Sequence, residues 1–172
     1  SQRNITASTC GIVPNMYRLA EEKLQITLAL SLHGSSQEKR KRLMPIANKY
    51  SLDEVLDACD VYFGKTGRRI TFEYSLVEGL NDTPEDVREL TEILKKRSCH
   101  LNLIPVNPIK EREFRKPSRK NALDFENNLE RNGINVTIRK ERGSDIDGAC
   151  GQLRRRYVSA KEGEAHENLC ND

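Results

Sequence analysis

The cysteines of this sequence lack the close pairing that marks a zinc or iron–sulfur site. There are five of them, far apart in the chain, and no two have CxxC spacing: Cys10, Cys59, Cys99, Cys150 and Cys170. Their odd number and wide separation also argue against a disulfide framework. The pattern therefore indicates a reducing, cytoplasmic compartment.

Long apolar runs are absent as well. No stretch approaches the ~20 apolar residues that span a membrane, and the first residues, SQRNITAS, lack the pattern of a signal peptide. The 172 residues are 36% hydrophobic and 32% charged, which predicts a soluble chain with one ordinary core. Because the chain begins at Ser1 and not at Met, we expect it to be processed or to be a piece of a longer protein.

Neither sign of charge dominates the sequence. The net charge of +3 is too small to identify a nucleic-acid-binding protein. Three basic clusters stand out, and each taken alone is most simply a solvated face: KRKR at 39–42, the stretch 112–120, and RRR at 154–156.

Predicted strands and helices alternate along the chain. The strands are predicted at 4–9, 25–33, 69–77, 100–106 and 134–139, and each longer connection between them contains a helix. This pattern predicts an α/β fold with parallel strands, either an open doubly wound sheet or part of a (β/α) barrel. No strand is followed by a glycine-rich phosphate fingerprint, which weakens the dinucleotide-binding option. Residues 1–157 are predicted to form the folded unit, and the polar residues 158–172 a disordered tail.

Polar residues stand at the carboxyl ends of the predicted strands, where a barrel places its site. They are Ser8, Ser31 with His33, Glu78 and Asn107. Each also has an ordinary structural explanation. The pair Ser8-Thr9 could be a helix or turn cap, His33 could be a satisfied, partly buried histidine, and Asn107 before Pro108 is a common turn pair.

Two of the cysteines lie in contrasting surroundings. Cys59 shares a helical spacing with Leu52, Val55, Leu56 and Phe63, so we predict that it fills the core. Cys150 lies in GSDIDGACGQL, among small and acidic residues, which predicts a loop and an accessible sulfur.

Six motifs together resemble one family. STCGIVP, LALSLH, RLMPIANKY, ITFEYSLVEGLND, LNLIPVNP and above all GSDIDGACGQL are similar to the radical S-adenosylmethionine RNA methyltransferases that methylate C2 of an adenine in 23S rRNA and tRNA. The resemblance covers about residues 4–153. It implies the C-terminal portion of a partial (β/α) radical barrel.

The resemblance also implies cofactors, partners and site residues. Ser8, Ser31, Leu32, His33 and Asn107 match positions that contact S-adenosylmethionine, and Cys150 matches the cysteine that carries the methyl group. A [4Fe–4S] cluster generates the radical in this family, and an electron donor such as flavodoxin reduces that cluster. The basic residues Arg112, Arg115, Lys116, Arg119 and Lys120 follow LNLIPVNP, and we expect them to contact RNA phosphate.

The chain departs from the family in what it omits. It has no CxxxCxxC motif for the cluster, so we expect the ligands to lie outside this chain and the isolated chain to be inactive. One alternative is a shortened, non-catalytic paralogue that keeps a surface for S-adenosylmethionine or RNA. Another is an unrelated barrel enzyme with Cys150 as nucleophile and His33 as its base.

Overall fold

The strands of this protein form one parallel sheet in chain order. The computed structural model describes residues 1–106 and 114–139. Within them β1 (Thr6–Thr9), β2 (Thr27–Ser31), β3 (Ile70–Leu76), β4 (Cys99–Pro105) and β5 (Val136–Ile138) are neighbours in the order 1-2-3-4-5, and every pair is parallel. A doubly wound sheet reverses its strand order at a switch point, and this one does not. The topology is therefore that of a barrel segment, which confirms the predicted parallel α/β fold.

In the described ranges, the connections between strands contain five α-helices. They are α1 (Val13–Glu21), α2 (Gln37–Leu43), α3 (Leu52–Thr66), α4 (Pro84–Leu94) and α5 (Arg119–Arg131), with short 3₁₀ turns at Gln2–Asn4 and Pro45–Asn48. Ser51 and Thr83 begin α3 and α4 with capping boxes, in which the cap hydroxyl and an acidic residue three positions later bond each other's backbone. None of the helices in the described ranges is long and apolar enough to cross a membrane.

The core lies on one face of the sheet, under the helices. In β3 the residues alternate as predicted, with Ile70, Phe72, Tyr74 and Leu76 buried and the residues between them half-buried. The buried residues pack into one cluster with apolar side chains of the helices, including Val55, Leu90 and Leu129. The opposite face of β3 carries Thr71, Glu73 and Ser75, and this polar face is where a ligand can reach the sheet.

The structure corrects two side-chain predictions. Cys59 is fully buried as predicted, but Phe63 is 38% exposed and Tyr62 is buried in its place, where its hydroxyl donates to the Ile26 carbonyl at 3.0 Å. The KRKR run is not a solvated face throughout, because Arg40 is completely buried. The predicted boundary at residue 157 lies outside the described residues.

Candidate functional site

Ser8 and Ser31 lie on the same face of the sheet near the carboxyl ends of neighbouring strands. Ser8 is the register partner of Ala29, and Ser31 is two residues further along β2, so both side chains project from one face. Ser31 is in turn the register partner of Glu73. The hydroxyls of both serines have no hydrogen-bond partner among the described residues. The structure therefore brings two of the predicted cofactor-binding residues together and leaves their hydroxyls available.

The turn after β1 is capped by Thr9 and not by Ser8. The Thr9 hydroxyl accepts a hydrogen bond from the Gly11 N–H at 3.1 Å. Gly11 has φ 98, in the left-handed region that favours glycine. The capping explanation for the pair Ser8 and Thr9 is therefore confirmed for Thr9, whose hydroxyl makes the turn.

Leu32 and His33 continue β2 toward the next helix. The Leu32 side chain is buried in the core, its N–H donates to the Glu73 carbonyl at 2.9 Å, and its carbonyl accepts from Gly34. His33 is half-buried and has φ 55, which is uncommon for a residue with a Cβ. Its Nδ1 accepts a hydrogen bond from the Ser75 N–H at 3.0 Å. His33 is thus held at the end of β3 as well as at the end of its own strand.

Two predicted site residues fall outside the described part of the chain. Asn107 belongs to the span 107–113, and Cys150 belongs to 140–172. The roles that the resemblance implies for them remain predictions.

Curated proteins include many close relatives of this chain. A protein of Lachnospira eligens named "Probable dual-specificity RNA methyltransferase RlmN" is 60% identical over 158 residues, which cover 92% of this chain and 45% of that protein. A protein of the same name from Clostridium perfringens is 59% identical over 160 residues, or 93% of this chain and 46% of its own length. This chain therefore spans about half the length of the curated relatives it matches. No family model matches it.

Solved structures agree with the curated relatives. A radical SAM methyltransferase from Sphaerobacter thermophilus superposes with a TM-score of 0.84 at 45% identity, over 88% of this chain and 45% of that one. The chain belongs to the radical SAM methyltransferase family. A domain of a pyruvate-formate lyase-activating enzyme from Bacteroides vulgatus, 14% identical with a TM-score of 0.61, shares the fold.

A buried polar network supports the candidate site, and local sequence patterns indicated little of it. Asp86, in the first turn of α4, is fully buried and accepts hydrogen bonds from Ser35, from the Lys39 ammonium at 2.8 Å and from the Thr83 hydroxyl at 2.6 Å. Burial alone would raise the pKa of Asp86, but these donors hold the pKa below its ordinary value. The T-x-x-D pattern of a helix cap was the available signal. That pattern predicts the helix cap, but it does not predict the hydrogen bonds by which Asp86 joins α4 to Ser35 and Lys39 after β2.

Arg40 is the second residue that sequence reasoning missed. Its Nε donates to the Leu32 carbonyl at 3.1 Å, while its two terminal nitrogens are buried without a hydrogen-bond partner among the described residues. Burial lowers the pKa of Arg40, although a guanidinium still stays charged at neutral pH. The chain thus holds a cation directly behind the Leu32–His33 turn.

The thiols of Cys59 and Cys99 are poor nucleophiles in this family member. Burial, followed by the negative charge of Asp60, raises the pKa of Cys59 to about 12. Burial raises the pKa of Cys99 to about 11. Both sulfurs are therefore protonated at neutral pH, and the thiolate is the reactive form.

Within residues 1–106 and 114–139, no cluster of three or more His, Cys, Asp or Glu side chains could hold a metal ion. The residues described do not fit a [4Fe–4S] cluster.

The charge of His33 leads to a prediction about pH. Burial, and then the positive charge of Arg40, lowers the pKa of His33 from 6.5 to about 4. The unfolded chain binds this proton at the higher pKa, so stability is full above pH 6.5 and falls as the pH drops toward 4. We expect His33 to account for a loss of about 3 kcal/mol in the free energy of unfolding over that range. Urea unfolding at a series of pH values measures it.

The matched comparison uses two glutamine variants. His33→Gln should be markedly less sensitive to acid than the unmodified chain, whereas His100→Gln should follow the unmodified chain. An acid sensitivity that His33→Gln leaves unchanged would show that other groups cause it.

Proposed function

We propose that the complete protein is a cytoplasmic radical S-adenosylmethionine methyltransferase that methylates C2 of an adenine in 23S rRNA and tRNA. The observation that carries this proposal is the 60% identity over 158 residues to relatives named as dual-specificity RNA methyltransferases. A match of that length within 172 residues includes residues 31–33, 107 and 150. The isolated chain is proposed to be inactive, because the cluster ligands lie outside it. An electron donor such as flavodoxin serves the complete enzyme.

Ser8, Ser31, Leu32, His33 and Asn107 are proposed to hold S-adenosylmethionine, which supplies the methyl group when it is bound. The available hydroxyls of Ser8 and Ser31, on one face of neighbouring strands, support this assignment. The side chain of Leu32 is buried in the core, so its contact would be restricted to the main chain. The two serines and His33 are contributed by two strands, which is how a barrel assembles a site.

Cys150 is proposed to carry the methyl group between the cofactor and the adenine. The Cys150 thiolate would attack the methyl carbon of bound S-adenosylmethionine, and the sulfonium sulfur would leave as the neutral thioether. The raised pKa values of Cys59 and Cys99, about 12 and about 11, favour Cys150 over them. Gly148, Ala149 and Gly151 give the sulfur small neighbours in the sequence, which suits an approach to both reactants.

The test substitutes cysteines one at a time in the complete enzyme. Cys150→Ala, supplied with S-adenosylmethionine and reductant, should form no methylated adenine and carry no methyl group on protein. Cys10→Ala is the control, because Cys10 is an exposed cysteine, and it should retain both products. Mass spectrometry of digested RNA and protein reads both. Methylated adenine from Cys150→Ala, or methyl on another cysteine of the unmodified enzyme, would refute the assignment.

The basic segment 112–120, which leads into and begins α5, is proposed to contact RNA phosphate. Arg119 and Lys120 are exposed at the start of α5, whose first turn has no acidic residue, although the helix dipole favours acids there. The Glu78 N–H donates to the Arg115 carbonyl at 2.9 Å, which fixes this segment beside the carboxyl end of β3. Arg112 of the same cluster lies outside the described residues.

Neutralising this segment should weaken RNA binding in a salt-dependent way. In the complete enzyme, log affinity falls as log salt concentration rises. Arg119→Gln with Lys120→Gln should make this slope shallower by about two, one for each charge removed. The control pair, Lys95→Gln with Lys96→Gln, removes exposed charges beyond the other end of the sheet and should leave the slope unchanged. Filter binding at several salt concentrations measures the slope. Equal slopes in both double variants would indicate that Arg119 and Lys120 lie on a solvated face that does not contact RNA.

A further inference from the structure

The turn after β2 presents an imidazole with one nitrogen already bonded. The Nδ1 of His33 accepts a hydrogen bond from the Ser75 N–H at 3.0 Å, so it carries no proton. In a neutral imidazole the proton must then be on Nε2. That Nε2 has no hydrogen-bond partner among the residues that the structure describes.

Asn81 fastens this turn to the end of β3. The side chain of Asn81 is fully buried, and its Nδ2 donates to the His33 carbonyl at 2.9 Å and to the Ser75 carbonyl at 2.7 Å. Its Oδ1 accepts from the Val77 N–H at 2.7 Å. Every hydrogen of this amide is used, and two of its contacts are to the residues that form the imidazole hydrogen bond.

The backbone of the turn is strained, so it needs stabilising contacts such as the hydrogen bond from Asn81. His33 has φ 55, a conformation that costs free energy for a residue with a Cβ. Gly34 follows, where a Cβ would lie 2.5 Å from the Arg40 backbone nitrogen, so the chain passes closely over the start of α2. A strained backbone is kept only where surrounding contacts determine it, and here Asn81 holds the His33 carbonyl while the Ser75 N–H holds the His33 imidazole.

We infer that Asn81 is a positioning residue that fixes His33 as a neutral Nε2–H donor for an uncharged acceptor on the nucleoside part of S-adenosylmethionine. The inference rests on the proposed function for the identity of the ligand and on geometry alone for the tautomer. The depressed pKa of His33, about 4, agrees with a neutral ring at pH 7. A neutral donor suits a ribose oxygen or a purine nitrogen, whereas a charged acceptor such as a carboxylate is matched best by a charged donor.

The tautomer is measured on the ¹⁵N-histidine-labelled chain at pH 7 without ligand. The three histidines are His33, His100 and His166, and His33→Gln assigns the signal of interest. Long-range ¹H–¹⁵N correlation should show His33 with an unprotonated Nδ1 and a protonated Nε2. An imidazolium or an Nδ1–H tautomer would overturn the inference whatever the fate of the proposed function.

The role of Asn81 is read from the same spectrum. Asn81→Ala and Asn81→Asp both remove the two donated hydrogen bonds, and the aspartate keeps an acceptor for Val77. Either variant that retains the circular dichroism spectrum of the unmodified chain should shift the His33 nitrogens toward mixed tautomers and leave His100 unchanged. The exposed Asn48→Ala should move neither signal. An unchanged His33 signal in a folded Asn81 variant would refute the positioning role.

Two fragments of the cofactor distinguish the acceptor. Millimolar 5′-methylthioadenosine, which contains the nucleoside, should shift the His33 Nε2 signal, and methionine should not. A shift with methionine alone, or with neither fragment, would overturn the assignment of the donor to the nucleoside. Because no RNA or reductant is present, these outcomes are independent of the methylation test.

Discussion

Asp86→Ala should lower the free energy of unfolding by about 3–5 kcal/mol, as expected when a buried ion pair loses one partner. Asp86 is fully buried, pairs with Lys39 at 2.8 Å and completes the capping box of α4 with Thr83. The Tyr74 hydroxyl also lies 3.4 Å from its Oδ1. The loss of the carboxylate therefore removes an ion pair, a helix cap and two further hydrogen bonds at one point.

Chemical denaturation of the chain measures this loss. The matched control is Glu85→Ala, one residue earlier in α4, whose carboxylate is 61% exposed and pairs with the exposed Arg88. Exposed pairs contribute about 0–1 kcal/mol, so this variant should remain close to the unmodified chain. Similar effects of the two substitutions would mean that neither the buried network nor the capping box of α4 contributes the expected stability.

Arg40→Met should raise the free energy of unfolding, by about 1–4 kcal/mol. Arg40 is fully buried, and both terminal nitrogens of its guanidinium have no partner in the described part of the chain. Burying a guanidinium whose two terminal nitrogens are unpaired costs solvation free energy that the hydrogen bond from its Nε to the Leu32 carbonyl does not recover. Methionine keeps much of the apolar length, and the Leu32 carbonyl keeps the Gly34 N–H at 2.8 Å.

Arg42→Met provides the control for the arginine prediction. Arg42 is exposed on the same helix, so its substitution should change stability by no more than about 0.5 kcal/mol. Thermal unfolding and urea unfolding are both measured for each variant. For Arg40→Met, the two methods should show a stability change of the same sign. A clear loss of stability in Arg40→Met would mean that the guanidinium is satisfied in the folded protein and that the hydrogen bond to Leu32 matters more than the buried charge.

Local sequence patterns predicted the regular parts of the fold well. The alternation in β3 gave its buried face residue by residue, and Ser51 with Glu54 gave the start of α3. Both features depend on residues a few positions apart, for which backbone geometry alone fixes the relationship. The parallel order of the sheet followed from the helical connections between strands.

The supporting residues of the site were missed for a physical reason. Asn81 contacts His33 across 48 residues of sequence, and Asp86 contacts Ser35 across 51. Such pairs are created by the docking of two loops, and each partner looks like an ordinary turn or cap residue in its own segment. The prediction of a solvated KRKR face was wrong for Arg40. The composition of a helix gives the number of its charges, but it does not show which charged side chain faces the core.

The order of the strands has a consequence for synthesis. Each strand from β2 to β5 pairs with the strand that precedes it in the chain. No pairing in the sheet therefore joins strands that are distant in the order of synthesis. Domains fold as the chain emerges, and contacts between nearby segments form faster than distant ones. We therefore expect the sheet to grow one βα unit at a time on the ribosome. The hydrogen bonds that hold His33, from Ser75 and Asn81, can form only after β3 and Asn81 have been translated.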